Sequence, residues 1–214
     1  MSPASVPAEQ LAKSLASGLQ QTGCEMAGDI QTSLLDYISL LDKWNKTYNL
    51  TAVRDIRQMV SQHLLDSLSI NQYLRGDRIL DVGTGAGLPG IPLAVANPDK
   101  TFVLLDSAMK RTRFVTQVVG ELGLTNVEVV QSRIEAYEPE QAFDTIVSRA
   151  FTAMADFVRA TERLCRDEGQ LLAMKGRFPT QEINDLPENW QARTDSLDVP
   201  GIEAERHLVI LSRK

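Results

Sequence analysis

The sequence predicts an α/β fold, a doubly wound and mostly parallel sheet preceded by a helical segment. Three observations predict it. From Arg78 onward, short β-branched apolar runs alternate with stretches of helical period. Such alternation makes a parallel sheet with right-handed crossovers and helices on both faces. A glycine-rich turn, Gly83-Thr84-Gly85-Ala86-Gly87-Leu88-Pro89-Gly90, follows the first of those runs directly. Before residue 75 the pattern is different: Leu34, Tyr37, Ile38, Leu41 and Trp44 recur at three- and four-residue steps, as on a helix with one buried face.

The elements follow in order. Residues 1–75 read as a helical cap and 76–214 as the α/β domain. Met59, His63, Leu64 and Leu68 mark another helix in the cap. Between the two lies Trp44-Asn45-Lys46-Thr47-Tyr48-Asn49-Leu50-Thr51-Ala52-Val53-Arg54-Asp55, which has no clean period and reads as a structured loop with Trp44 and Tyr48 in the core. RILDV is the first strand, followed by a helix from about Pro89, a residue suited to a first helical turn. TFVLLD leads into the helix AMKRTRFVTQVVGEL, and NVEVVQ into a short helix. FDTIVSRA precedes a helix from about Ala153 to Leu164. GQLLAMKG and ERHLVILSRK read as strands, the latter with a hairpin partner near Ala192–Leu197.

Composition narrows the classes. A chain of 214 residues, 43% hydrophobic and 23% charged, is expected to be one soluble globular unit. No run of about 18 apolar residues occurs, so no membrane partner is expected. The opening MSPASVPAEQLAKS lacks the basic start and apolar core of a secretory signal, which points to the cytoplasm. Cys24 and Cys165 form no ligand motif and are expected as buried, reduced thiols. Two histidines are too few for a histidine-built metal site, so no metal is expected. A net charge of −6 argues against coating nucleic acid by bulk charge. Local basic groups remain: Lys43, Lys46, Arg54 and Arg57 with His63, then Lys110, Arg111 and Arg113. No unexplained apolar stripe stands out, and a monomer is expected.

In an open α/β sheet, ligands bind beyond the carboxyl ends of the strands, where the glycine turn lies. Glycines there adopt angles closed to other residues and leave room for a ligand. Gly85-Ala86-Gly87-Leu88-Pro89-Gly90 matches the dinucleotide pattern G-x-G-x-x-G, and Asp106 ends the second strand about where a ribose-binding acid belongs. Two features favour another ligand. Asp81 precedes the glycines, where its charge opposes a pyrophosphate and suits an amino group. The glycines also begin earlier, as D-x-G-x-G-x-G. S-adenosyl-L-methionine, a cation without phosphate, meets that description. A phosphate loop of the Walker kind fits poorly, because no Gly-Lys-Ser/Thr follows.

DVGTGAGLPGIPLA, HLLDSL, LLDS with KR shortly after, VQSRIE, VSRAF, ERHLV and WNKTYNLTAVRD occur in one order between about Leu34 and Leu211. In this the chain resembles the bacterial 16S ribosomal RNA guanine-N7 methyltransferases, also called the glucose-inhibited division protein B family. The resemblance implies a class I S-adenosylmethionine-dependent methyltransferase, with a Rossmann-like, mostly parallel seven-stranded sheet. It implies methyl transfer to N7 of one guanosine, with 16S rRNA in the small ribosomal subunit as partner and no DNA.

That chemistry sets what the residues must do. N7 carries a lone pair and loses no proton, so no general base is required, and positioning dominates. No certain catalytic residue is expected; Arg149, Asn49 and His63 are the positioning candidates. Cofactor contacts are expected from Asp81, Gly83, Gly85, Leu88, Asp106 and Arg149. Asp106 can accept ribose hydroxyls or cap the next helix. The resemblance adds Ile134 and Glu135 beside the adenine. Arg149, ending a strand, either faces the ligand or pairs with an acid such as Asp81. Arg54, Arg111 and Lys175 are the RNA-binding candidates. The amine-methylating motif N/D-P-P-Y/F is replaced by Val147-Ser148-Arg149-Ala150-Phe151, which suits a ring nitrogen. Two other readings stay open: a small NAD-dependent oxidoreductase, and a non-catalytic S-adenosylmethionine-binding module that docks on the ribosome.

Overall fold

The computed structural model describes residues 6–151 and 153–214; the opening MSPAS and Thr152 lie outside them. The helical segment holds α1 (Ala8–Gln21) and α2 (Gly28–Tyr48). A third rod follows: α3 (Ile56–Met59), a π-helical turn (Val60–Leu65) and α4 (Asp66–Leu68). α2 therefore runs through Trp44–Tyr48, which corrects the loop expected there. Tyr48 is 45% exposed, so it is not core, while Trp44 packs against the core as expected.

The strands are β1 (Arg78–Val82), β2 (Thr101–Asp106), β3 (Val127–Gln131), β4 (Phe143–Ser148), β5 (Cys165–Lys175), β6 (Trp190–Ser196) and β7 (His207–Arg213). They make one sheet in the order β3-β2-β1-β4-β5-β7-β6. The first five are parallel, and β7 is antiparallel to both β5 and β6. Helices α5 (Gly90–Ala96), α6 (Met109–Leu122) and α7 (Met154–Thr161) make the crossovers, and the short α8 (Thr180–Asn184) follows β5. The order reverses at β1/β4, and the carboxyl ends of the strands open a crevice there, as strand topology requires.

Each sheet face has its own apolar layer. Leu80, Val82, Val103, Leu105 and Ile146 pack with α7, and Ile79, Phe102 and Leu104 pack with α5, α6 and the N-terminal helices. The helical segment and the sheet thus share one hydrophobic cluster. Cys165 is buried and Cys24 only half-buried; both are free. Among the described residues no helix is long and apolar enough to cross a membrane.

One polar bond fastens the helical segment to the glycine turn. The buried Tyr37 hydroxyl, on α2, donates to the Ala86 carbonyl at 2.8 Å. Tyr37→Phe leaves that carbonyl without its partner, and a loss of about 1–3 kcal/mol is expected. Urea denaturation of the two proteins checks it.

Candidate functional site

β1 ends in Asp81-Val82 and the chain turns at once through the glycines. Gly83 (φ +70°) faces Ala150, whose Cβ would lie 2.8 Å from any Cβ added at 83. Gly85 (φ +60°) borders open space: a Cβ added there would meet nothing nearer than the Gly83 carbonyl at 3.9 Å. Gly83 also lines the cleft described below, and the open space beside Gly85 leaves its backbone bare to a ligand.

Two carboxylates hold the turn in place. Asp81 is fully buried beneath it, and its Oδ2 accepts from the Thr84 hydroxyl at 2.7 Å and the Gly90 amide at 2.9 Å. Its Oδ1 is buried with no hydrogen-bond partner. Burial pushes the carboxyl up to about 6, against the pull of its two hydrogen bonds and the charge of Arg149. Any effect of Asp81 on a ligand therefore passes through the turn or through that orphaned oxygen. Asp106, at the end of β2, accepts from the Gly85 amide at 2.9 Å and the Ala108 amide at 2.8 Å. The same carboxylate thus fixes the turn, holds the residue that precedes α6 and faces the crevice.

A cleft of about 450 Å³ opens beyond these ends, lined among others by Gly83, Asp106, Ile134, Glu135 and Phe151. Leu88 is buried and does not line it. Arg111 also borders the cleft, with Nη1 3.3 Å from Asp106 Oδ2, an ion pair within the protein that the sequence did not predict.

A second pocket of about 330 Å³ lies one residue away, at Arg149. The Ser148 hydroxyl donates to the Val82 carbonyl at 2.8 Å and accepts from the Ala150 amide. Arg149 Nη1 donates to Asp66 Oδ2 at 2.9 Å, and Arg206 Nε donates to Asp66 Oδ1 at 3.0 Å. The acid that Arg149 pairs with is therefore Asp66, not Asp81. His63 lies beside them, buried, with Nε2 3.0 Å from the Thr51 hydroxyl and Nδ1 unpartnered. Burial first, then the charge of Arg149, lowers its pKa to about 4, so the imidazole is neutral.

Asn49 takes the left-handed position that ends α2 (φ +51°), and its Oδ1 accepts from Arg54 at 2.6 Å. Arg54 also donates to the Asn45 carbonyl at 3.2 Å. The guanidinium expected to contact RNA therefore closes the C-terminus of α2. Lys175 donates to the Phe151 carbonyl at 3.0 Å and to Glu182 at 2.7 Å. Its side chain is mostly buried, in contrast to the open phosphate contact expected of it. Among the described residues no group of three or more His, Cys, Asp or Glu is placed to hold a metal.

Sequence reasoning missed Tyr37, Asn45 and the central place of Asp66. Asn45 is buried, receives the Thr51 amide and donates to the Val53 carbonyl, which shapes the segment that carries Thr51 to His63. The only signal was a polar atom on an otherwise apolar helix face, where a buried polar group must find a partner.

The cleft fits S-adenosylmethionine better than a dinucleotide. In dinucleotide folds the pyrophosphate sits on the N-terminus of the helix after the first strand. Here the first amide of α5, Gly90, is held by the Asp81 carboxylate. Comparison with known proteins agrees. The family model described as rRNA small subunit methyltransferase G matches residues 30–209. Ribosomal RNA small subunit methyltransferase G of Nitrosococcus oceani is 54% identical over 92% of this chain and 92% of its own. That of Pseudomonas aeruginosa is 53% identical over 94% and 95%. Among solved structures, the O-methyltransferase TomG of Streptomyces achromogenes in complex with SAM aligns with TM-score 0.60 at 13% identity, over 98% of this chain and 100% of its own. A SAM-dependent methyltransferase of Thiobacillus denitrificans in complex with S-adenosyl-L-homocysteine aligns with TM-score 0.52 at 13% identity, over 70% and 90%. The fold is that of class I methyltransferases.

The buried carboxylate gives a pH test. The folded-state pKa of Asp81 lies above its ordinary value, so its contribution is most favourable at low pH and is lost as pH rises through about 6. His63, lowered to about 4, has the opposite slope in the same window, because its neutral form is the folded one. A variant therefore isolates the effect better than the wild-type profile. Asp81→Asn is expected to gain about 2 kcal/mol relative to wild type between pH 4 and pH 7, read from urea midpoints at both.

Proposed function

The chain belongs to the family of rRNA small subunit methyltransferase G, and on that premise we propose that it methylates N7 of a guanosine in 16S rRNA. It is an S-adenosyl-L-methionine-dependent rRNA methyltransferase, and we place it in the cytoplasm as a monomer acting on the small ribosomal subunit and not on DNA. Among the site residues, Gly83 and Gly85 let the backbone approach the methionine part of the cofactor. Asp106 offers an acceptor to the ribose hydroxyls, Ile134 and Glu135 stand beside the adenine, and Phe151 adds an apolar wall. When bound, S-adenosylmethionine supplies an electrophilic methyl group on a sulfonium centre.

The observation that supports N7 is the turn at the end of β4. An exocyclic amine must shed a proton during methylation, and N7 need not. At this turn the Ser148 hydroxyl is engaged with Val82 and Ala150, and Arg149 holds Asp66. Neither is a base. His63 is neutral but buried against Thr51. The residues of this turn therefore orient a target and exclude water, which is what a lone pair already pointing at the methyl group requires.

Small ribosomal subunits from cells lacking the enzyme are the test substrate, with labelled S-adenosylmethionine. The protein, sedimenting at its single-chain mass of 23.7 kDa, is expected to label N7 of one 16S guanosine and to leave duplex DNA unlabelled. Label on an exocyclic amine would refute the N7 assignment. Asp106→Ala is expected to weaken cofactor affinity at least about tenfold, from the loss of charge-assisted hydrogen bonds, as read by calorimetry.

A further inference from the structure

The pocket at Arg149 shares no lining residue with the cleft at Asp106. Arg149 is its boundary with the cofactor cleft, for the next two residues, Ala150 and Phe151, line that cleft. From the boundary outward the charged groups form a chain: Arg149 to Asp66 Oδ2, then Asp66 Oδ1 to Arg206. Asp66 is 5% exposed, comes from the helical segment, and is the only carboxylate among the described residues that line the pocket. The two arginines come from the ends of β4 and β7, 83 and 140 residues away in sequence.

A carboxylate has about four lone-pair sites, and Asp66 uses two. An arginine has five N–H donors, and Arg149 gives Asp66 one of them. The pocket therefore retains acceptors and donors side by side. It is not a bare anion site, because Asp66 pairs with both arginines and Glu182 with Lys175, leaving one formal positive charge among them.

We propose that this pocket seats the target guanine itself, with Asp66 reading its N1–H and N2–H₂ donors and Arg149 its O6. The inference rests on the guanosine reading above. The order of groups supports it. Starting from N7, the edge of guanine presents O6, an acceptor, then N1–H and the N2 amine, both donors. Starting from the cofactor cleft, the pocket presents Arg149, a donor, then Asp66, an acceptor. With N7 turned to the cleft, each group meets its complement. Adenine fails twice: its amine meets Arg149 and its N1 lone pair meets the carboxylate. Reading a base on its Watson–Crick edge requires it to be unpaired and splayed out, as in single-stranded RNA loops. Arg206 is a positioning residue that holds Asp66 from the far side.

The test needs no turnover. GMP, IMP and AMP are titrated by NMR into the full chain loaded with S-adenosylhomocysteine. GMP is expected to bind about tenfold or more tighter than AMP, with IMP, which lacks the N2 amine, between them. Asp66→Asn should remove the GMP-over-IMP preference and leave cofactor affinity intact, an outcome that a purely structural role would not give. The nucleotide series on the wild-type chain decides the matter even if the variant does not fold. Equal affinity for GMP and AMP, no binding at millimolar concentration, or unchanged discrimination in Asp66→Asn would overturn the assignment. Guanine discrimination without methyl transfer to subunits would fault the proposed reaction and leave the pocket standing.

Discussion

A fully buried carboxylate under a glycine-rich turn is the constraint around which this structure is arranged. The turn must stay bare at Gly83 and Gly85 so that a ligand can lie on its backbone, so those positions cannot be held by side-chain packing of their own. Asp81 holds it from below through Thr84 and Gly90, Asp106 from the side through Gly85, and Tyr37 from the helical segment through Ala86. In a low-dielectric interior such bonds are strong when complete and expensive when broken. Asp81 keeps one oxygen unsatisfied, and burial raises its pKa despite the bonds the other oxygen accepts.

The same economy joins the two halves of the chain. Apolar packing merges the helical segment with one face of the sheet, but it does not by itself set the angle at which they meet. Polar contacts do: Tyr37 to Ala86, Asp66 to Arg149 and Arg206, and Lys110 to the Tyr48 carbonyl. One of these, Asp66 with its two arginines, lines the pocket at Arg149. The segment that looks like an appendage in sequence therefore supplies part of the wall of that pocket.

How much of this could be read beforehand follows from the range of each interaction. The strands and crossover helices were legible because periodicity is local, and the cleft's place was legible because Gly83, Gly85 and Asp106 sit at strand ends. The extent of α2 was not. Asn and Thr in Trp44–Tyr48 disguise a helix whose end is fixed by Asn49 in the left-handed conformation and by Arg54 folding back onto Asn45 and Asn49. Charged side chains were the least legible. Lys175 and Arg111 looked like groups reaching outward, and Arg149 like a ligand contact or a partner of Asp81; each has a carboxylate partner, which for Arg149 is Asp66, 83 residues away. Tyr37 counted as one more apolar position, because periodicity does not register a hydroxyl.

The π-helical turn at Val60–Leu65 carries one further consequence, for evolution. Such a turn holds one more residue than α-helical winding would, and it commonly marks a functional site. It ends at Asp66, so it sets which face of the rod that carboxylate occupies. Deleting one residue from the turn would swing everything after it by about 100°, carrying Asp66 off the pocket wall while the apolar count stayed nearly the same. Lineages of this chain should therefore tolerate length changes in the surface turn at 22–27 and almost none within 60–65. The reading frame of this helix, more than its composition, is what descent has to preserve.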